Sequence, residues 1–251
     1  MFDKLRSYFK TDNFELTAEH EKRIKKLEGI IGSKIDSPHI YIRALRHRST
    51  LEDDNFSSTD SYERLEFLGD AVLDLIVTEV IFDLFPNKNE GFLTKLRAKL
   101  VKGDTLAMYA RNLKLSDLML LGQRVQGQGV EQSKSVLADV FEALTGALYL
   151  DLGYKRTSRF IRKIIEEYVD FENIITSLDN YKSLLLEYAQ ARQMEIPTYN
   201  VISEEGPGHD KTFGVEVLVD NKSRAEGKGK SKKEAEQKAA RKALQLLRHS
   251  D

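Results

Sequence analysis

Between Ser61 and Phe85, the residues Leu65, Leu68, Val72, Leu75, Ile76, Val80 and Phe82 recur at the spacing of one helix face. A long helix with a buried side is predicted there, and the rest of the fold must be built around it. Asp60 stands where an N-cap is needed, and Glu63, three residues on, completes a capping box. Pro86 marks the end. Three of its acids lie near its start. Glu63, Glu66 and Asp70 fall at i, i+3 and i+7 and share a face. Glu66 and Asp70 repel each other at a cost of a few tenths of a kcal/mol, and no Lys or Arg sits four residues beyond Glu66 to relieve them. Gly69 lies inside the helix at a cost of about 1 kcal/mol relative to Ala, which suggests that something approaches the backbone there.

A second acidic pair, Asp139 and Glu142, is spaced i, i+3 within Val136–Leu144, an otherwise apolar segment. Acids in such a setting are costly to bury unless paired or metal-bound. Two helices that each project carboxylates can build an oxygen-only site for a hard cation such as Mg²⁺ or Mn²⁺. The chain has no cysteine, so zinc–thiolate, iron–sulfur and thiol-nucleophile chemistry are excluded. The ordinary alternative is that these acids face solvent and Glu63 is only a cap. Further helices are predicted over 91–101, from near Asp104, and from a Ser135 cap to about Leu150, ending near Gly153. The stretch Gln126–Gly129 lacks the Lys-Ser/Thr of a phosphate loop and is read as a plain loop.

Beyond about residue 180 the hydrophobic period changes. An amphipathic helix over Tyr181–Arg192 offers Leu184, Leu185, Tyr188 and Ala189 as its apolar positions. A strand begins at Tyr199 and Val201. Phe213, Val215, Val217 and Val219 then alternate with Gly214, Glu216, Leu218 and Asp220, a half-buried strand. Asp220-Asn221 is a turn signal, and a third strand covers Ser223–Gly227. A last helix starts at Ser231, with Glu234 completing a capping box and Ala235, Ala239, Ala243, Leu246 and Leu247 as its buried stripe. Net charge over the chain is −1, so no global attraction to nucleic acid exists. Between Lys222 and Lys242, however, nine Lys/Arg face three Glu. Lys230, Lys232 and Lys233 crowd a helix amino terminus, where cations oppose the macrodipole and a phosphate would reverse the sign. A lysine-rich solvated turn reads the same in composition.

The segment Glu63-Arg64-Leu65-Glu66-Phe67-Leu68-Gly69-Asp70-Ala71-Val72-Leu73 resembles the signature of the ribonuclease III endonucleases. His47-Arg48-Ser49 upstream, then Glu90-Gly91, Arg97–Val101 and Leu137–Leu144 downstream, follow in the family's order, so the likeness spans about residues 40–250. The carboxy-terminal order resembles the double-stranded RNA-binding domain. The fold implied is a mostly α endonuclease domain at 37–175, a small α+β domain (α-β-β-β-α) at 178–248, and an extension at 1–36 expected to be helical. The resemblance assigns Glu66, Asp139 and Glu142 to metal-ligand positions and Asp70 to the acid that supports the catalytic geometry. Glu63 and Glu90 match auxiliary acids around the cleft and dimer interface. Phe67 matches an aromatic that inserts into a partner subunit. Ser183 and Glu187 match positions that touch one minor groove, Gly206-Pro207-Gly208-His209 the loop for the other, and Lys230, Lys232 and Lys233 the phosphate clamp. Leu186 departs from the family, which often has Gln there. Such domains read A-form shape and 2′-hydroxyls more than sequence.

What the resemblance implies is a homodimeric, Mg²⁺-dependent endoribonuclease, with Mn²⁺ able to substitute and no small-molecule cofactor. It would hydrolyse double-stranded RNA to 5′-phosphate and 3′-hydroxyl ends with short 3′ overhangs, on ribosomal RNA precursors and structured messenger RNA. The rivals are a non-catalytic double-stranded RNA-binding regulator, which has no use for four acids, and a small-ester phosphohydrolase, which leaves the carboxy-terminal region unexplained. With no apolar run near 18 residues and a charged amino terminus, a soluble cytoplasmic protein without membrane association is expected. Within 1–36, the run Lys22–Lys26 could touch RNA, but a solvated helix is the simpler reading.

Overall fold

The predicted long helix and the acid-bearing helix of the 130s pack on each other, and the rest of the first unit is built round that pair. The structure is a computed structural model that describes residues 15–51, 57–171, 174–175, 181–207 and 211–249. The chain divides into two units, residues 1–170 and 171–251.

The first unit is helical. Its described helices are α1 (Ala18–Ile31), α2 (Pro38–Ala44), α3 (Glu63–Leu84), α4 (Glu90–Leu100), α5 (Gly103–Asn112), α6 (Lys134–Leu152) and α7 (Tyr154–Tyr168). Thr17 caps α1 and Gly32 closes it in the left-handed region. In α6, ten residues from Leu137 to Leu148 are buried on all sides, as expected of a helix through the middle of a core. α3 lies along it, and the two touch backbone to backbone. A Cβ on Gly69 would stand 1.7 Å from the Glu142 carbonyl oxygen, and one on Gly146 would stand 2.3 Å from that of Leu65. The approach suspected from Gly69 is therefore that of α6.

Three sequence readings need correction in this unit. Asp60 does not cap α3, whose N-cap is Tyr62 with no side-chain bond. It closes a short 3₁₀ turn with Ser57 and accepts from the buried Arg43 guanidinium at 2.9 Å. Ser135 does not cap α6; Ser133 precedes that helix, and the two hydroxyls bond each other at 3.1 Å. Leu75 and Phe82 are not core. They are 52% and 67% exposed, and with Phe67 (83%) they line a side of α3 that the described residues leave uncovered.

In the second unit, α8 (Tyr181–Ala191) and α9 (Lys232–His249) cover one face of an antiparallel sheet of β1 (Thr198–Glu205), β2 (Thr212–Val219) and β3 (Lys222–Gly229), in the order β1-β2-β3. Val201 pairs with Val215 and Val217 with Ala225. The Asp220-Asn221 turn has positive φ at both residues, 53° and 56°, which is the type I′ twist a two-residue hairpin favours. Leu218, the apolar intruder in the alternation, sits at a bulge where the β2–β3 register shifts. Val217, Val219, Leu185, Tyr188, Ala239, Ala240, Ala243, Leu244 and Leu247 form the core. Leu246 is 56% exposed and Leu184 also faces out, so Ala240 and Leu244 take the places expected for them. The Ser231 hydroxyl accepts from the Glu234 N–H at 3.2 Å, while the Glu234 carboxylate reaches the N–H of Lys230, one residue before the expected partner. Among the described residues no helix is long and apolar enough to cross a membrane.

Candidate active site and RNA-binding surface

The α3–α6 contact fixes the acids. Because Gly69 and Gly146 let the backbones meet, Glu66 one turn before Gly69 and Glu142 one turn before Gly146 are drawn together, and Asp139 follows one turn further. Glu66, Asp139 and Glu142 each offer a carboxylate oxygen within 4.8 Å of the others, all three half-buried. Asp70 is exposed beside them and outside that close group.

Crowding and burial oppose ionisation here. Burial first, then the charges of Asp139, Glu63 and Asp70, push the Glu66 carboxyl up to about 7. Burial, then Asp70, Glu66, Asp139 and Asp74, push Glu142 up to about 8. Asp139 is also raised by burial, but the Tyr62 hydroxyl, which donates to it at 3.4 Å, and the Arg48 guanidinium act in the opposite direction. Three acids that resist losing their protons within one cleft form a site that a dication would relieve.

A cleft of about 440 Å³ opens on the cluster, lined by His47, Arg48, Tyr62, Glu63, Glu66, Ser135, Val136 and Asp139. The segment carrying His47 and Arg48, which opens a 3₁₀ turn at Arg48, is held by a parallel bridge between Arg46 and Leu120. The His47 N–H donates to the Leu120 carbonyl at 3.0 Å, and the Gly122 N–H donates to the Ser49 hydroxyl at 2.9 Å. The Ser49 N–H donates to Nδ1 of His47 at 3.1 Å, and burial followed by Arg48 lowers that imidazole's pKa. Its face tilts against Tyr62 at 5.9 Å.

The other sequence candidates fall as follows. Glu63 is exposed at the rim, accepting from the Ser61 hydroxyl at 3.4 Å. Glu90 opens α4 and accepts from Thr94 at 2.8 Å; it is not part of the close group. Phe67 points to solvent. Tyr62, Arg48 and Asp74 were missed. Asp74 continues the i, i+4 row from Asp70 and was findable, whereas Tyr62 and Arg48 reach Asp139 only through tertiary folding. On the second unit, Ser183 is half-buried and Glu187 exposed one turn on, along the same side of α8. Gly206 and Pro207 are exposed at the end of β1. Gly208 and His209 lie outside the described residues. Lys230, Lys232 and Lys233 are exposed around the start of α9.

Residues 37–168 match the ribonuclease-III-like family and residues 181–247 the double-stranded RNA binding motif. A protein named Ribonuclease 3 from Chlorobaculum tepidum is 44% identical over 214 residues, which is 84% of this chain and 79% of that one. Another of that name, from Staphylococcus epidermidis, is 39% identical over 235 residues, 94% of this chain and 96% of the relative. Among solved structures, the nuclease domain of ribonuclease III from Campylobacter jejuni is 38% identical with a TM-score of 0.53, covering 57% of this chain and 96% of that one. That structure concerns flexibility in a region involved in dimer formation. A helical nuclease domain with an acidic cleft, followed by a double-stranded RNA-binding domain, defines an endoribonuclease of double-stranded RNA. The chain belongs to the ribonuclease III family.

Proposed function

We propose that this endoribonuclease works as a Mg²⁺-dependent homodimer in which Glu66, Asp139 and Glu142 hold the cation and Asp70 supports the geometry of the cut. The observation that carries the reading is the approach of three half-buried carboxylates from two helices to within 4.8 Å. The donors are all oxygen, the preference of Mg²⁺, and Mn²⁺ accepts the same set. When bound, a divalent cation supplies charge to the developing phosphate and makes hydroxide available near neutral pH.

The chain's own residues do the remaining work. Asp70, exposed one turn beyond Glu66, orients the incoming water. The Tyr62 hydroxyl donates to the Asp139 carboxylate and orients it, so that Asp139 would be held ready for a cation. Arg48 gives the acidic cleft a cation that an RNA phosphate can approach. Glu63 and Glu90 assist substrate placement. Ser183 and Glu187 touch one minor groove, Gly206, Pro207 and His209 the next, and Lys230, Lys232 and Lys233 clamp the phosphates between.

The uncovered stripe of Phe67, Leu75 and Phe82 supports pairing of two nuclease domains, since a lone monomer gains nothing from three exposed large apolar side chains in a row. Two sites across a minor groove then cut one strand each, leaving 5′-phosphate and 3′-hydroxyl ends with short 3′ overhangs. We assign the nuclease domain to 37–175, the RNA-binding domain to 178–248 and an extension to 1–36. Ribosomal RNA precursors and structured messenger RNA are the proposed cytoplasmic substrates, with no membrane and no small-molecule cofactor involved. The test incubates the protein with long duplex RNA, single-stranded RNA and duplex DNA, with and without Mg²⁺. Shortening of duplex RNA alone, only with the metal, and products carrying a 5′-phosphate are expected. Cleavage that persists after exhaustive chelation would remove the metal from the account.

A further inference from the structure

The second unit carries a basic feature that the RNA-binding residues named above do not use. A groove of about 590 Å³ runs between the edge strand β3 and α9, lined by Glu226, Lys228, Lys238, Arg241, Lys242 and Gln245. Its walls are fixed by backbone contact. A Cβ on Gly227 would stand 2.3 Å from the Ala235 carbonyl oxygen and 2.4 Å from the Ala239 amide nitrogen, so strand and helix meet there with no side chain between them. Four cations and one acid therefore line a trough between two rigid elements.

Local pairing accounts for only part of that charge. Lys238 is bonded to Glu234 at 2.6 Å, and Arg241 lies over the Tyr181 ring at 5.6 Å. Among the described residues, Lys228 and Lys242 have no carboxylate partner. Lys238 and Lys242 repel at i, i+4, and the carbonyl end of the helix offsets this only over its last turn. Cations repeated at each helix turn, about 6 Å apart, suit a row of phosphodiesters.

The groove also lies apart from the proposed duplex face. α8, with Ser183 and Glu187, packs on α9 through Glu236 and Gln237, where the Lys182 ammonium bonds Glu236 at 2.6 Å and the Lys182 N–H donates to Gln237 at 3.3 Å; of the groove's cations Arg241 reaches α8, at the ring of its first residue, Tyr181. Lys242 stands ten residues beyond Lys232, about 15 Å along the helix. A duplex seated on α8 and the start of α9 leaves this flank open.

We propose that the β3–α9 groove is a second phosphate-backbone site, through which the domain holds another RNA segment while its first face is occupied. The inference rests on the reading of α8 and the start of α9 as the first RNA face, and the test separates the two. The chain has no cysteine, so Gln245→Cys and, as a control beside the first face, Gln190→Cys, exposed one turn beyond Glu187 on α8, each introduce a single thiol for an azidophenacyl photocrosslinker. Each full-length variant is titrated, without divalent metal, with a duplex of about 20 base pairs, slightly longer than the roughly 16 such a domain spans.

Crosslinking at position 245 is expected only at RNA concentrations about tenfold above those that saturate position 190, as for a site with fewer phosphate contacts. It should survive Lys232→Ala with Lys233→Ala, and fall about fivefold or more with Lys228→Ala and Lys242→Ala. Melting temperatures verify folding of each variant. Labelling at 190 with none at 245, or labelling at 245 that follows Lys232 and Lys233 and ignores Lys228 and Lys242, overturns the second site alone. No labelling at either position overturns the first-face reading, and the second site with it.

Discussion

Glu142 shows most sharply what the site asks of single residues. Its carboxyl is raised to about 8 and that of Glu66 to about 7, both from an ordinary 4.5. A native pKa above the unfolded one means the folded protein binds protons more tightly, so stability is present below pH 4.5 and is lost as pH rises toward 8. The acids titrate as a coupled group, so the loss is gradual. In chelator, the melting temperature of the nuclease domain should therefore fall between pH 5 and pH 8.5, and Glu142→Gln should raise it at pH 8.5 by about 2–4 °C, the effect of about 1 kcal/mol in a domain of this size. A flat pH profile would mean that the cluster ionises freely. Asp60 makes a different residue-scale case. As a mere helix cap its loss to Ala would cost about 1 kcal/mol. As the acceptor of the buried Arg43, its loss should cost about 3 kcal/mol in urea unfolding, the low end for breaking a buried ion pair.

At the scale of elements, the α3–α6 crossing is what turns sequence spacing into a site. Gly146→Ala forces a methyl against the Leu65 carbonyl, and overpacking of this kind costs about 1–3 kcal/mol. Because the same contact sets the separation of Glu66 from Glu142, cleavage should fall further than stability alone explains. Unfolding curves read beside turnover at a temperature where the variant stays folded would show this, and a variant that is destabilised but fully active would detach the site from the crossing. The acids were legible in the sequence because i, i+3 spacing fixes which ones share a helix face, and Gly69 gave away the close approach. Which apolar side of α3 is covered was not legible. Phe67, Leu75 and Phe82 follow the same period as the core residues, and only the packing of α6 separates the two sets. Arg48 and Tyr62 were hidden for a related reason. Arg48 enters the cleft beside a bridge between segments more than 70 residues apart, and Tyr62 meets Asp139 across 77 residues of chain, which no local pattern encodes. The cap of α3 was misread because Arg43 competes for Asp60 and wins with a buried charge–charge bond.

At the scale of the whole molecule, the proposed arrangement is two nuclease domains paired through α3, each followed by an RNA-binding domain. Phe67→Asp with Phe82→Asp puts charge on the exposed stripe without touching the core. Light scattering should then show a monomer of about half the wild-type mass, with double-strand cleavage reduced about 100-fold or more because an entire catalytic partner is lost. An unchanged mass would move the interface elsewhere. The central proposal is that Glu66, Asp139 and Glu142 hold the cation on which the cut depends, and it is tested most directly by Glu142→Ala beside wild type on long duplex RNA, with cleavage in Mg²⁺ and binding without divalent metal measured on the same preparations. The expected result is a loss of cleavage of at least about 100-fold, the upper end for disturbing even a supporting partner of a metal ligand, with duplex binding unchanged. Full cleavage by the variant would contradict the account.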